Sequence, residues 1–287
     1  MRLNSFTIGA FTAYGNQHVS NGGANIIAFE GLQSAARRVS KFDLSGQHGA
    51  FVTSSFYGGR TLAVSVQIFG SSVANFASRV NDFLAELDLD AAPATLSFTT
   101  AEGDTYFVTG YAQQVNDGPK FGERRYGTYV FEFFCEDYRI FDDTLNSEQI
   151  FLADSSGGFT IPTIIPISFG SASGGYAVLT NNGNTNASPT ITFNGPLTAD
   201  ITVYNATTDK RFTYRADIAN GYSVIVDTKN KTVVDQDGAN RMLYVSTTYR
   251  DFIELVPGDN EIYFSHGGAY NTTGNVVFEW YDAYLGV

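Results

Sequence analysis

Thr190-Ile-Thr-Phe193, Asp200-Ile-Thr-Val-Tyr204, Phe212-Thr-Tyr214, Tyr222-Ser-Val-Ile-Val-Asp227 and Thr232-Val-Val234 succeed one another along one stretch of the chain. Each alternates polar and apolar side chains. Successive strand residues point to opposite faces, so this alternation gives one apolar and one wet face. Between the segments stand Asn194-Gly195, Thr208-Asp-Lys210 and Lys229-Asn-Lys231. These residue types favour tight turns. The stretch Ala187–Leu255 therefore predicts short antiparallel strands folded as a sandwich or jelly roll. Such a unit binds or assembles more often than it catalyses.

Strands are expected again at Glu261–Ser265 and Val276–Tyr284. On the N-terminal side, Asp142–Phe159 is polar and ends in Ser155-Ser-Gly-Gly158, which reads as a linker or exchange segment. Pro162 and Pro166 bracket an apolar run, which makes Ile161–Phe169 an expected edge strand. Ser171–Ser188 is rich in Gly, Ser and Asn and reads as short strands alternating with loops. The expected domains are 1–148 and 149–287.

In the first domain, strands are expected near Phe6–Phe11, Ala24–Phe29, Arg37–Leu44, Ala50–Phe56 and Thr61–Phe69. One helix follows. Ser71 or Ser72 offers the capping hydroxyl. Val73, Phe76, Ala77, Val80, Phe83, Leu84 and Leu87 trace one helical stripe, which should lie across a sheet. Strands resume at Ala94–Thr99, Tyr106–Gln114 and Gly127–Cys135. The last two are joined by Val115–Tyr126, expected to project as a long hairpin bearing Lys120, Arg124 and Arg125. That basic tip is a candidate docking or inter-subunit loop; a solvated hairpin end is the alternative. The fold class is all-β with a single helix. Twenty-four Phe and 17 Tyr fit the same class, since aromatics favour pleated surfaces.

The formal net charge is −12, with −6 on each side of Glu148. Neither half carries the basic excess of a tight nucleic-acid binder. Cys135 stands alone, which excludes an intrachain disulfide and a cysteine metal cluster. The N-terminus lacks a signal-peptide core, and no apolar run of about 18 residues appears. Synthesis in a cytoplasm and no membrane span are expected. Asn-x-Ser/Thr triplets at Asn186, Asn205, Asn230 and Asn271 read as turn residues.

Catalytic spacing is scarce. His18, His48 and His266 lie far apart, and neither a nucleophile elbow nor a phosphate loop occurs. Asp235-Gln-Asp237-Gly238-Ala-Asn240 gathers three oxygen-bearing side chains around a glycine, a calcium-like pattern that an Asp-Gly turn explains as well. Trp280 in Phe278-Glu-Trp-Tyr281 is a candidate glycan contact, with burial between sheets as the other reading. No catalytic residue, cofactor or metal is expected.

Two sets of motifs carry a resemblance. The first is Leu44-Ser-Gly46-Gln-His-Gly49, Tyr57-Gly-Gly-Arg60, the lone helix, and Tyr129-x-Phe131-x-Phe133 ending near Glu136-Asp-Tyr138. The second is Asn182-Gly-Asn184, Pro189-Thr-Ile-Thr-Phe-Asn-Gly195, Asn205-x-Thr-Thr208, Leu255-Val-Pro-Gly258-Asp-Asn260-Glu-Ile262 and Trp280-x-x-x-Tyr284. In order and spacing, over nearly the whole chain, they resemble the distal tail proteins (Dit family) of long non-contractile-tailed bacteriophages. The resemblance implies an N-terminal β-sandwich-like ring domain with one helix and a hairpin, and a C-terminal galectin-like sandwich. It implies a non-enzymatic structural hub of the tail tip or baseplate in the virion, built as a homohexameric ring. Its implied partners are the tail tube protein, the tail-associated hub or fibre protein and, in some members, receptor-binding proteins. Genome DNA would pass the bore without specific binding. The alternative is a carbohydrate-binding adhesion module that recognises host wall glycans through the C-terminal sandwich.

Overall fold

The computed structural model describes residues 3–15, 22–46, 48–87, 93–116, 125–153, 175–269 and 271–287. Two compact units divide the chain: Met1–Asp143 with Tyr284–Val287, and Thr144–Ala283. The architecture is all-β apart from one α-helix and one 3-10 turn among the described residues.

The first unit contains β1 (Leu3–Ile8), β2 (Phe11–Tyr14), β3 (Gly23–Glu30), β4 (Arg37–Asp43), β5 (Ala50–Tyr57) and β6 (Arg60–Phe69). After α1 (Val73–Glu86) come β7 (Ala94–Thr100), β8 (Thr105–Asn116), β9 (Tyr126–Cys135) and β10 (Ile140–Phe151), the last of which runs past Asp143. Neighbouring strands follow the order β8, β7, β1, β2, β3, β6, β9, and β9 pairs back onto β8. The sheet thus closes into a seven-stranded barrel, and closure removes exposed strand edges.

Alternation fills the barrel. Leu62, Val64, Val66 and Ile68 of β6 are buried, as are Tyr129, Phe131, Phe133 and Cys135 of β9. Phe6, Phe11, Phe29, Phe83, Phe98 and Phe131 form a connected ring cluster, with centroids 4.6 Å apart for Phe11–Phe83 and 6.2 Å for Phe6–Phe131. Tilted and edge-on aromatic pairs add about 0.5–1.5 kcal/mol each beyond area burial. The Ser72 hydroxyl caps α1 by accepting from the Asn75 N–H at 3.1 Å, while Asn75 Oδ1 accepts from the Ser71 N–H. Phe76, Val80, Phe83 and Leu87 are buried, but Val73 and Leu84 are exposed. The apolar stripe is narrower than the sequence pattern because only its centre meets the barrel.

Three expectations change. Phe6–Phe11 is not one strand: Gly9, at φ +53°, turns the chain between β1 and β2. Part of the expected linker, from Asp142 to Phe151, is strand β10. Most of its side chains between the ends are exposed or half-buried, so backbone pairing (Phe141 with Phe107, Asp142 with Tyr106) forms it without an alternating burial signal. The rest of that segment and Ile161–Phe169 lie outside the described residues. Within Ser171–Ser188, Tyr176–Asn181 is a full edge strand, paired along its length with Gly258–Tyr263.

The second unit contains β11 (Tyr176–Asn181), β12 (Thr190–Asn194), β13 (Ile201–Asn205), β14 (Lys210–Tyr214), β15 (Ser223–Asp227), β16 (Thr232–Asp235), β17 (Val245–Arg250), β18 (Gly258–Ser265) and β19 (Asn275–Tyr284). One sheet holds β16-β15-β12-β19, and the other is β11-β18-β13-β14-β17. Phe193 of the first sheet stacks with Phe212 and Phe264 of the second at 6.3 and 6.4 Å. This facing of two apolar layers is sandwich packing.

Buried asparagines hold its connections. Asn260 Nδ2 donates to the carbonyls of Leu179 (3.3 Å), Val256 (2.8 Å) and Gly258 (3.0 Å), while its Oδ1 accepts from the Val256 N–H. Asn205 Nδ2 donates to Asn260 Oδ1 at 3.2 Å, and Asn205 Oδ1 accepts from the N–H groups of Thr207 and Thr208. Asn181 spans the carbonyls of Thr185 and Leu255. Buried amides persist where they are hydrogen-bonded, and these three tie β11, β13 and β18 to the turns beside them.

Candidate functional site

β4 and β5 form a two-stranded sheet of their own. Among the described residues no third strand pairs with either. Arg37 pairs with Tyr57, Arg38 with Phe56, Val39 with Ser55 and Ser40 with Ser54. A bulge shifts the register, after which Lys41 pairs with Val52 and Phe42 with Phe51. Alternation places Arg38, Phe42, Phe51 and Phe56 on one face and Val39, Lys41 and Val52 on the other. All are exposed, Phe56 to 67%, and the Phe42 and Phe51 rings lie 5.4 Å apart.

The base of this arm is fixed. The Tyr57 ring stacks on Tyr138 at 4.8 Å. The Arg37 guanidinium lies 4.8 Å over the Tyr57 ring and donates to its hydroxyl at 2.9 Å. From that base, the seven residues of β4 span about 23 Å at ~3.3 Å per residue. A two-stranded hairpin is marginal in water by itself, and its outer edges invite pairing. The arm thus displays aromatics on one face and valines on the other, and contiguous exposed apolar surface of this kind marks candidate interaction sites.

The basic hairpin expected at Val115–Tyr126 is described at its ends only; Lys120 and Arg124 lie outside the described residues. Arg125 is exposed and donates from one terminal guanidinium nitrogen to the Ser71 carbonyl at 3.4 Å, beside the start of α1. The structure thus adds the β4–β5 arm, which the sequence reading took as two ordinary strands. Its signal was legible in principle: apolar residues at Val39, Phe42, Phe51, Val52 and Phe56 leave neither face wholly polar.

Arg60, the last residue of the Tyr57-Gly-Gly-Arg60 motif, organises the arm's root. It is 2% exposed at the start of β6. Its guanidinium donates to the carbonyls of Tyr138, Gln33, Gly31 and Leu285. Burial lowers its pKa from the ordinary arginine value, against the pull of Cys135 and Asp137. The same burial pushes the Cys135 thiol up to about 12, with Arg60 opposing. At pH 8 Cys135 is therefore a thiol rather than a nucleophilic thiolate. Iodoacetamide should leave the native protein unmodified at pH 8 and label Cys135 only on unfolding, read by intact mass.

In the second unit, Trp280 is 7% exposed beside buried Phe278 on β19. A stacked sugar needs an open indole face, and the described surroundings cover it. The three-oxygen pattern at Asp235–Asn240 is a turn. Asp235 Oδ1 accepts from the N–H groups of Asp237 and Ala239, and Oδ2 pairs with Arg241 at 2.7 Å. Asn240 Oδ1 is taken by the Met242 N–H. The Ala239 N–H, then the Arg241 guanidinium, holds the Asp235 carboxyl below the usual carboxylate range against desolvation. A depressed native pKa stabilises the fold above the unfolded value of about 3.9, and the gain is lost as pH falls through the native value. Wild type should thus exceed Asp235→Asn in thermal stability at pH 7, and the difference should shrink below about pH 4. A gap that persists unchanged to the acid limit would show that the charge is irrelevant.

His266 is also accounted for: Nδ1 accepts from the Thr198 N–H at 3.0 Å, so Nε2 carries the proton toward the Ala269 carbonyl. Among the described residues no group of three His, Cys, Asp or Glu side chains is placed to hold a metal ion. No helix there is long and apolar enough to cross a membrane.

Residues 182–281 match the family described as the siphovirus-type tail component, C-terminal domain. Residues 24–135 match the phage tail protein RIFT-related domain. The chain belongs to the distal tail (Dit) protein family of siphovirus-type phages. The two matched regions lie one in each unit, covering the barrel from β3 to β9 and the sandwich from after β11 to β19. Among solved structures, the Dit protein of phage SPP1, described as a paradigm of the hub adsorption apparatus in Gram-positive-infecting phages, superposes with a TM-score of 0.64. It is 14% identical over 96% of this chain and 97% of its own. A chain of the phage P2 baseplate in its activated conformation with calcium is 12% identical over 99% of both chains, with a TM-score of 0.48. A search of curated proteins gave no match. This Dit-family chain is a structural component of a phage tail.

Proposed function

We propose that this protein is the ring-forming hub of the tail tip, made in the host cytoplasm and carried in the virion. Six copies close into a ring that joins the tail tube to the hub or fibre protein, and in some assemblies to receptor-binding proteins. The reading rests on family membership, and the β4–β5 arm is the observation that carries it. An exposed arm on one patch and a receiving surface elsewhere make a heterologous contact, which closes into a ring when the rotation permits. The barrel supplies a rigid wall, and the sandwich, galectin-like in kind, supplies an outer scaffold.

The net charge of −12 per chain suits a bore that genome DNA crosses without sticking. Repulsion acts over roughly 8 Å at physiological salt, so only charges near the bore surface contribute. A non-enzymatic role accords with side chains spent on turns, caps and packing. Negative-stain micrographs of the purified protein should show closed six-fold rings with a central hole. Uniform single particles at high concentration, unchanged by added tail-tube and hub proteins, would overturn the proposal.

A further inference from the structure

The sheet β11-β18-β13-β14-β17 puts one side chain from each strand into a single row on its wet face. Tyr176 of β11 stands opposite Tyr263 of β18, Tyr263 opposite Tyr204 of β13, and Tyr204 opposite Arg211 of β14. The Tyr176 and Tyr263 rings lie 5.0 Å apart, and those of Tyr263 and Tyr204 lie 6.3 Å apart. The Arg211 guanidinium sits 4.9 Å from the Tyr204 ring and 4.9 Å from the Tyr249 ring of β17. Strands spaced ~4.8 Å apart make this row about 19 Å long. Tyr176, Tyr263 and Tyr249 are 43%, 44% and 45% exposed. The Tyr204 hydroxyl donates to Asp209 Oδ1 at 3.0 Å, which fixes its ring. Single exposed aromatics need no explanation; a row that crosses every strand of a sheet does.

Arg211 is the half-buried member of the row. Its backbone N–H donates to Asp251, but among the described residues no hydrogen bond or ion pair takes the donors of its guanidinium. Two rings thus hold a planar fork of unspent donors in place. Beside it lies a depression of about 350 Å³, lined by the hydroxyls of Thr202, Thr213, Ser246 and Thr248 with Arg215 and Asp200. No aliphatic side chain lines it. Val178, on the edge strand, is the one aliphatic residue that the five strands place on this face. A protein docking site centres on an apolar core depleted in charge, whereas here rings stand among hydroxyls and hydrogen-bonding charges. Tyrosine rings offer flat apolar surface to the C–H faces of sugars, and the guanidinium and hydroxyls exchange hydrogen bonds with sugar hydroxyls. Arg211 and Arg215 against Asp200, Asp209, Asp259 and Glu261 leave this face at −2 within a chain of −12, a field that repels an acidic ligand. We propose that this face binds a linear, neutral glycan laid across the strands, its sugar rings on Tyr176, Tyr263 and Tyr204 and one sugar's hydroxyls on Arg211 at the depression. The site lies wholly within the second unit, does not involve buried Trp280, and is independent of the ring reading.

The test uses the full-length protein. It is applied to an array of neutral linear oligosaccharides of glucose, galactose or N-acetylglucosamine, with hyaluronate and polygalacturonate as acidic chains for comparison. The tightest neutral binder is then titrated by calorimetry. Tyr263→Ala and Arg211→Ala should each weaken binding by about ten-fold or more. Tyr263→Phe keeps the ring and should stay within about three-fold of wild type. Tyr222→Ala removes a tyrosine that is equally open to solvent but outside the row, and should leave binding unchanged. Oligosaccharides should bind more tightly than the single sugars, because the row spans several rings. Unchanged circular dichroism and melting certify each fold; Tyr249→Ala, on the edge strand β17, replaces any variant that fails this check and should weaken binding in the same direction.

No binding to any neutral chain, binding confined to the acidic chains, or an equal loss with Tyr222→Ala would overturn the proposal. Retention of an added tail protein by wild type and its loss in Tyr263→Ala, with no glycan bound, would also overturn it and make the face a protein interface. Ring formation is read by mass and micrographs, so failure of the glycan site leaves the ring reading standing, and failure of the ring leaves the glycan site standing.

Discussion

Replacing Arg60 with Ala should cost the first unit on the order of 4 kcal/mol, a large part of what holds a domain of this kind folded. The side chain's donors are shared among four backbone carbonyls, those of Gly31, Gln33, Tyr138 and Leu285. Hydrogen bonds from a charged donor contribute about 1.5–3 kcal/mol each, and orphaned buried carbonyls lose most of that. Water entering the cavity would recover part, which sets the figure below the simple sum. Domains are stable by only about 5–15 kcal/mol, so the loss is a large fraction. Arg60→Lys should recover less than half of it, because one ammonium point cannot replace a planar fork. Urea unfolding followed by circular dichroism measures both. A loss under about 1 kcal/mol for Arg60→Ala would mean that the carbonyls find other donors.

The second large effect belongs to Asn260. Asn260→Asp keeps the shape and replaces the donating amide nitrogen by an acceptor. The carbonyls of Leu179, Val256 and Gly258 then face an oxygen at hydrogen-bond distance. The site is fully buried. One carboxylate oxygen keeps the Val256 and Asn205 donors, but the other faces three carbonyls in a buried site, which disfavours ionisation and raises the pKa in the folded state. Loss of about 3 kcal/mol or more at neutral pH is expected. The sign is diagnostic. A raised folded pKa means that the folded variant binds the proton more tightly, so the variant should regain stability as pH falls toward the acid range. Wild type has no such group there. Melting temperatures of the two proteins between pH 7 and pH 5 should converge, and curves that stay parallel would show that the amide does not hold the carbonyls.

These two residues also show where sequence reading stops. The strands of the second unit were legible because Ile191, Phe193, Ile201, Val203, Val224 and Val226 alternate with polar neighbours and meet one core. α1 was legible from Phe76, Val80 and Phe83 on one stripe and from Ser72 as its cap. β10 was hidden because its exposed faces leave no alternation. Arg60 and Asn260 stand in the sequence only within the motifs Tyr57–Arg60 and Leu255–Ile262, since burial and the convergence of distant carbonyls are properties of the assembled chain. Leu285, an acceptor for Arg60, lies 225 positions away. The arm was half legible: its strands and its Gly46-Gln-His-Gly49 turn are plain, but pairing with no third strand is a fact of topology. From sequence Trp280 fits an exposed sugar platform as well as a core residue, and only the fold places it inside.

Light scattering coupled to size exclusion, over a range of loading concentrations and with added tail-tube protein, tests the central claim most directly. A ring of six gives a mass near 187 kDa, six times 31.2 kDa. A single species that stays at 31.2 kDa throughout would contradict it.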